Sequence, residues 1–86
     1  MPEISRFFGI IIRMFFDEHG PPHFHAAYVG SVAQIGIEPI RLLRGELPPR
    51  ALSLVYEWAA LHQSELMDNW RRLRTDQPAE RIPPLE

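Results

Sequence analysis

The chain of 86 residues has room for one domain, and 45% apolar with 23% charged residues place it among globular rather than disordered chains. It contains no cysteine, which excludes disulfide staples, thiolate metal sites and cysteine nucleophiles and leaves His, Asp and Glu as the metal-ligating side chains. Eleven acidic residues against nine arginines, with no lysine, give a formal charge of −2, a balance that does not favour indiscriminate binding to polyanions.

A single core of this size gives roughly 3–5 kcal/mol of net stability, so dimerisation or a bound partner is expected. Residues Met1 to Arg6 lack the cationic start and small-residue cleavage site of a signal peptide. The apolar run Phe7–Phe16 is about half the length that spans a bilayer and contains Arg13. A cytoplasmic protein with no membrane contact is expected.

In chain order, Phe7–Phe16 reads as one long strand whose even positions, Phe8, Ile10, Ile12, Met14 and Phe16, form a wholly apolar core face. Arg13 lies on its outer face. A loop from Asp17 to Pro22 leads into a strand His23–Val29, which a two-residue turn at Gly30-Ser31 joins to a strand Val32–Glu38. That turn sets Phe24 opposite Ile37, Ala26 opposite Ile35 and Tyr28 opposite Ala33 on the core face. On the other face His25 meets Gly36 and His23 meets Glu38, so both histidines project to solvent beside Arg13.

Ile40–Leu43 adds a short edge strand. Pro48-Pro49 then opens one continuous helix over 50–74, with Leu52, Val55, Ala59, His62, Leu66, Trp70 and Leu73 on one stripe, widened by Ala51, Leu54, Trp58 and Leu61. Residues 75–86 hold Pro78, Pro83 and Pro84 and read as an extended tail. The expected fold is α+β: a three- or four-stranded antiparallel sheet packed on one long C-terminal helix, in ββ(β)βα order, with residues 1–74 as the domain.

Three histidines, His19, His23 and His25, lie within seven residues. Imidazoles at i and i+2 of a strand share a face, so the cluster offers a divalent metal such as zinc two or three nitrogen ligands, with Glu38 or Asp17 supplying an oxygen. The spacing lacks the helical His-Glu-x-x-His pattern that sets a base beside a metal. The plainer alternative makes His23 and His25 polar residues of a wet sheet face, with His19 ordering the Gly-Pro-Pro turn.

A third alternative is a binding surface of Arg13, His23, His25 and Glu38. An RNA-reading version would add Phe7 and Phe15 for stacking on bases, against which stand the net charge and the lack of a basic stripe. His62 falls on the apolar arc and is expected in the core, bonded to the backbone and apart from the other histidines. The arginines Arg71, Arg72 and Arg74 near Trp70 suit a helix C-terminus without further function. No nucleophile elbow, phosphate-binding glycine loop or carboxylate pair is present, so no catalytic residue is assigned and the reading leans away from an enzyme.

The opening Met1–Met14, the stretch Asp17-Glu18-His19-Gly20-Pro21-Pro22-His23-Phe24-His25-Ala26, Gly45–Arg50 and Glu57-Trp58-Ala59 resemble the bacterial domain-of-unknown-function 4160 family. The resemblance covers about residues 1–74, and Pro-Pro-His-Phe-His-Ala is its most specific element. It implies a partner-binding component of a two-gene, toxin–antitoxin-like system. The cognate partner would be a small protein of the domain-of-unknown-function 2442 type encoded alongside, with a nucleic-acid or regulatory role. It carries no residue role to His23 or His25. A metal-binding protein or metal-assisted nuclease, and a homodimeric scaffold held by the helix, are the rival expectations.

Overall fold

The computed structural model describes residues 3–86. Five strands, β1 (Glu3–Phe7), β2 (Ile10–Arg13), β3 (His23–Tyr28), β4 (Ser31–Ile37) and β5 (Ile40–Gly45), form an antiparallel sheet in sequence order. Two helices, α1 (Pro49–Leu61) and α2 (Gln63–Arg74), follow. The fold is α+β, with one strand more than expected and two helices in place of one. No described helix is long and apolar enough to cross a membrane.

The extra strand comes from a turn hidden in the first apolar run. Phe8 (φ 50°) and Gly9 (φ 80°) are both left-handed, the backbone of a type I′ hairpin turn, so the run folds back and Phe7 pairs with Ile10. Phe7 is thereby buried, whereas Phe8, expected in the core, is 59% exposed. Phe16, also expected inside, is exposed beyond the end of β2. Ile10, Ile12 and Met14 are fully buried as the alternation requires.

The second hairpin uses the same device one residue earlier than expected. Val29 (φ 44°) and Gly30 (φ 80°) make the turn, and Tyr28 pairs with Ser31. The register therefore slides by two: Phe24 meets Ile35, Ala26 meets Ala33, His25 meets Gln34 and His23 meets Gly36. A two-residue slide keeps every side chain on its face, which is why the apolar set Phe24, Ala26, Ala33, Ile35 and Ile37 is still buried. Glu38, however, no longer lies across from His23.

The helical region breaks at His62 (φ −123°, ψ 27°). A straight helix over 50–74 would be about 37 Å long, and the break lets α1 and α2 pack within a domain 34 Å in its greatest extent. The His62 N–H bonds the Trp58 and Ala59 carbonyls, the Leu66 N–H bonds the His62 carbonyl, and Gln63 Nε2 donates to the Ile37 carbonyl at 2.6 Å, fastening the restart to the end of β4. α1 buries Ala51, Val55, Trp58 and Ala59, and α2 buries Leu66, Asn69, Trp70 and Leu73. Leu61, counted in the apolar arc, is exposed because it lies on the flank of α1, about 100° around the helix from the buried stripe.

Residues 75–86 contain no regular element yet pack against both layers. Ile82 and Leu85 are buried in the core cluster. The Ile82 N–H bonds the Ile4 carbonyl at 2.8 Å, and Trp58 Nε1 donates to the Pro83 carbonyl at 2.9 Å. Helices and tail thus cover one face of the sheet and leave the other open except over His23 and His25, where Trp70 and Phe15 lie against the rings.

Candidate metal centre

β2 ends at Arg13, and Phe15 with the loop Asp17–Pro22 carries the chain across to β3. The Ile37 N–H bonds the Pro22 carbonyl at 3.1 Å, which extends the β3–β4 ladder into the loop. Arg74 of α2 lies over the Trp70 ring at 4.1 Å and donates to the Phe15 and Phe16 carbonyls, tying the loop's first residues to the helix layer. The Trp70 ring in turn stands 5.3 Å from that of His23, and Phe15 packs edge-on against His25 at 4.8 Å.

His23 and His25, at i and i+2 of β3, have ring centroids 5.4 Å apart. His23 Nδ1 is 2.9 Å from the Pro21 carbonyl oxygen, which can only accept, so Nδ1 carries the proton and Nε2 points the other way. There it lies 3.2 Å from Glu18 Oε1, and His25 Nε2 closes on the same oxygen. The three candidate ligand atoms lie within 4.8 Å of one another.

These side chains are sheltered: 5% exposed for His23, 18% for His25 and 24% for Glu18. Burial alone would raise the Glu18 carboxyl, but hydrogen bonds and positive charge from His25 and His23 outweigh it and hold the group below its ordinary value. With Nδ1 protonated, His23 faces the carboxylate oxygen with Nε2, and two such acceptor atoms at that distance require a cation between them. A proton can fill that role. So can a divalent metal, whose ligands at about 2.0–2.2 Å stand about 3.3 Å apart in a tetrahedral set. The bond from His23 Nδ1–H to a backbone carbonyl is the outer-shell contact that fixes a metal-binding imidazole.

The structure thus joins His23 and His25, and it replaces the other expected ligands. His19 is exposed on the loop and outside the cluster, because the glycine and prolines after it reverse the chain before β3 begins. Glu38 is exposed in the turn after β4, displaced by the register slide, and Asp17 is exposed beside the carboxylate that does take part. Neither histidine lies on a wet face, since Phe15, Trp70 and the loop cover them.

Arg13 is half-buried directly across from His25. Phe7, considered for base stacking, packs on Trp58 in the core at 5.3 Å. His62 is only partly buried and bonds the Glu65 carboxylate at 2.5 Å rather than the backbone. Glu18 is the candidate ligand that the sequence pattern did not single out, and the spacing Glu-x₄-His-x-His is the signal that could have found it.

The family model described as Domain of unknown function (DUF4160) matches residues 9–71, a span that includes Glu18, His23 and His25. No curated protein and no solved structure matches the chain.

Proposed function

Because the chain belongs to the DUF4160 family, whose description assigns no activity, we propose its function from the site: a divalent-metal-binding domain whose centre is Glu18, His23 and His25. The convergence of two Nε2 atoms on one carboxylate oxygen, with the His23 tautomer set by Pro21, carries this reading. Two imidazoles and one carboxylate form the donor set of hydrolytic zinc sites, which keep an open position for water or substrate. A bound metal would supply a water of lowered pKa, and metal-assisted hydrolysis is one activity consistent with that donor set.

The test is calorimetric titration of the chelator-treated protein with zinc, manganese and nickel. Micromolar or tighter binding is expected, lost in Glu18→Gln and in His23→Ala/His25→Ala and retained in His19→Ala. No binding by the wild-type protein, or equal binding by these variants, overturns the reading.

A partner-binding role in a two-gene, toxin–antitoxin-like system is the second reading. It is favoured by the uncovered sheet face and by Phe8, Val29 and Val32, which are 59%, 84% and 54% exposed. It requires a stable complex with the cognate small protein, read by co-purification. A homodimer on the same surface would instead show a melting temperature that rises with protein concentration.

A further inference from the structure

The sheet face turned away from the helices carries arginines that no carboxylate engages. We infer that this face receives a phosphate-bearing ligand, its anionic group held by Arg13 and Arg44 beside the Glu18–His23–His25 centre. The inference rests on the metal reading for where the ligand sits, and on strand register for what holds it.

One row of directly opposed residues crosses four strands: Arg13 opposite His25, His25 opposite Gln34, and Gln34 opposite Arg44. Opposed residues of antiparallel strands share a face, and strands lie about 4.8 Å apart, so the two arginines flank His25 at roughly one and two strand spacings. An arginine side chain reaches across such distances. In the neighbouring row Arg41 faces Gly36, which faces His23.

The charge on these strands is of one sign. β2 to β5 contain Arg13, Arg41 and Arg44 and no carboxylate, although the chain as a whole is at −2. Among the described residues none of these three arginines forms an ion pair, whereas Arg6, Arg71, Arg72 and Arg81 each do. Glu3, directly across from Arg13, is engaged by Arg6 and Arg81 instead. Guanidinium groups free of carboxylates and set on a rigid sheet match the planar, two-point geometry of phosphate oxygens. Phosphate is also a ligand that a metal with open positions accepts.

A second row, Ile11 opposite Ala27 and Ala27 opposite Val32, runs beside the cationic one. A ligand meeting both rows has an apolar or flat part next to its phosphate, which is the chemistry shared by nucleotides and single-stranded RNA.

The test uses the full chain, zinc-free and zinc-loaded, titrated with a fluorescein-labelled single-stranded RNA oligomer by anisotropy and with adenosine monophosphate by calorimetry. Binding of at least one probe is expected, weakened roughly tenfold by Arg13→Gln and by Arg44→Gln, with zinc affinity and melting temperature unchanged, and unaffected by Arg50→Gln. RNA binding without nucleotide binding assigns the site to an extended strand, and the reverse assigns it to a free nucleotide. If the wild type binds neither probe, or Arg13→Gln and Arg44→Gln both bind as it does, the inference is overturned while the metal centre stands. Arginine-dependent binding in a protein that takes up no zinc would remove the metal reading and keep the phosphate site.

Discussion

Asn69 of α2 holds the backbone of Glu80 with both ends of its amide: Nδ2 donates to the Glu80 carbonyl at 2.8 Å, and Oδ1 accepts from the Glu80 N–H at 2.8 Å. Asn69 is 2% exposed, so neither bond has ready competition from water. Replacing it by leucine keeps the volume but leaves a peptide N–H and C=O without partners, at a cost of roughly 1–3 kcal/mol. The expected outcome for Asn69→Leu is a melting temperature lower by on the order of 10 °C. An unchanged melting curve would show that the clamp contributes nothing.

Glu3 predicts an acid-sensitive contact. Its carboxyl is lowered from 4.5 to about 2, chiefly by the hydrogen bond from Arg6, which together with the bond from Arg81 and the charge of both arginines outweighs the opposing effect of burial. Because the folded-state value lies below the ordinary one, the contribution is fully present above about pH 4.5 and is lost as pH falls toward 2. Glu3 is half-buried but both arginines that hold it are exposed, so the pairs are screened and the effect is small and weakens with salt. Melting temperatures of wild type and Glu3→Gln, measured from pH 5 to pH 2, should converge toward the acid end. Parallel curves would contradict this.

Val29 occupies a left-handed conformation, φ 44°, at the tip of the second hairpin, with its side chain 84% exposed. A β-branched residue there is strained by roughly 1–2 kcal/mol with no burial to offset it. Val29→Asn creates the Asn-Gly pair preferred in type I′ turns and should stabilise the domain by about 1 kcal/mol in urea denaturation. Destabilisation by the same amount would mean that the turn is of another type.

The same turn shows where the sequence was legible and where it was not. Alternation identified Ile10, Ile12, Phe24, Ala26, Ala33, Ile35 and Ile37 as core, because a sheet covered on one face imposes period two whatever the turns do. Both hairpins, however, turn on a large apolar residue followed by glycine, Phe8-Gly9 and Val29-Gly30, and apolar residues at such positions read as strand. The first concealed β1; the second shifted the register and moved Glu38 away from His23. The histidine pair was visible in its i, i+2 spacing, but choosing Glu18 over His19 required the path of the Gly-Pro-Pro turn. The break at His62 was invisible because every residue there is compatible with a helix, and what marks it is a tertiary bond, from the Gln63 side chain to the Ile37 carbonyl.

The bond from the Ile82 N–H to the Ile4 carbonyl lies along the outermost strand of the sheet. Bare strand edges recruit other chains, since their N–H and C=O groups form a ready template for another strand. At Ile4 the tail takes up one carbonyl of that template, and Pro83 and Pro84, next along the tail, have no N–H with which to pass the pairing outward. Detaching it would uncover the buried side chains of Ile82 and Leu85 and free the Ile4 carbonyl, so a chain with a weakened strap would be lost to aggregation as well as to unfolding. The proline-rich segment is therefore a guard on solubility.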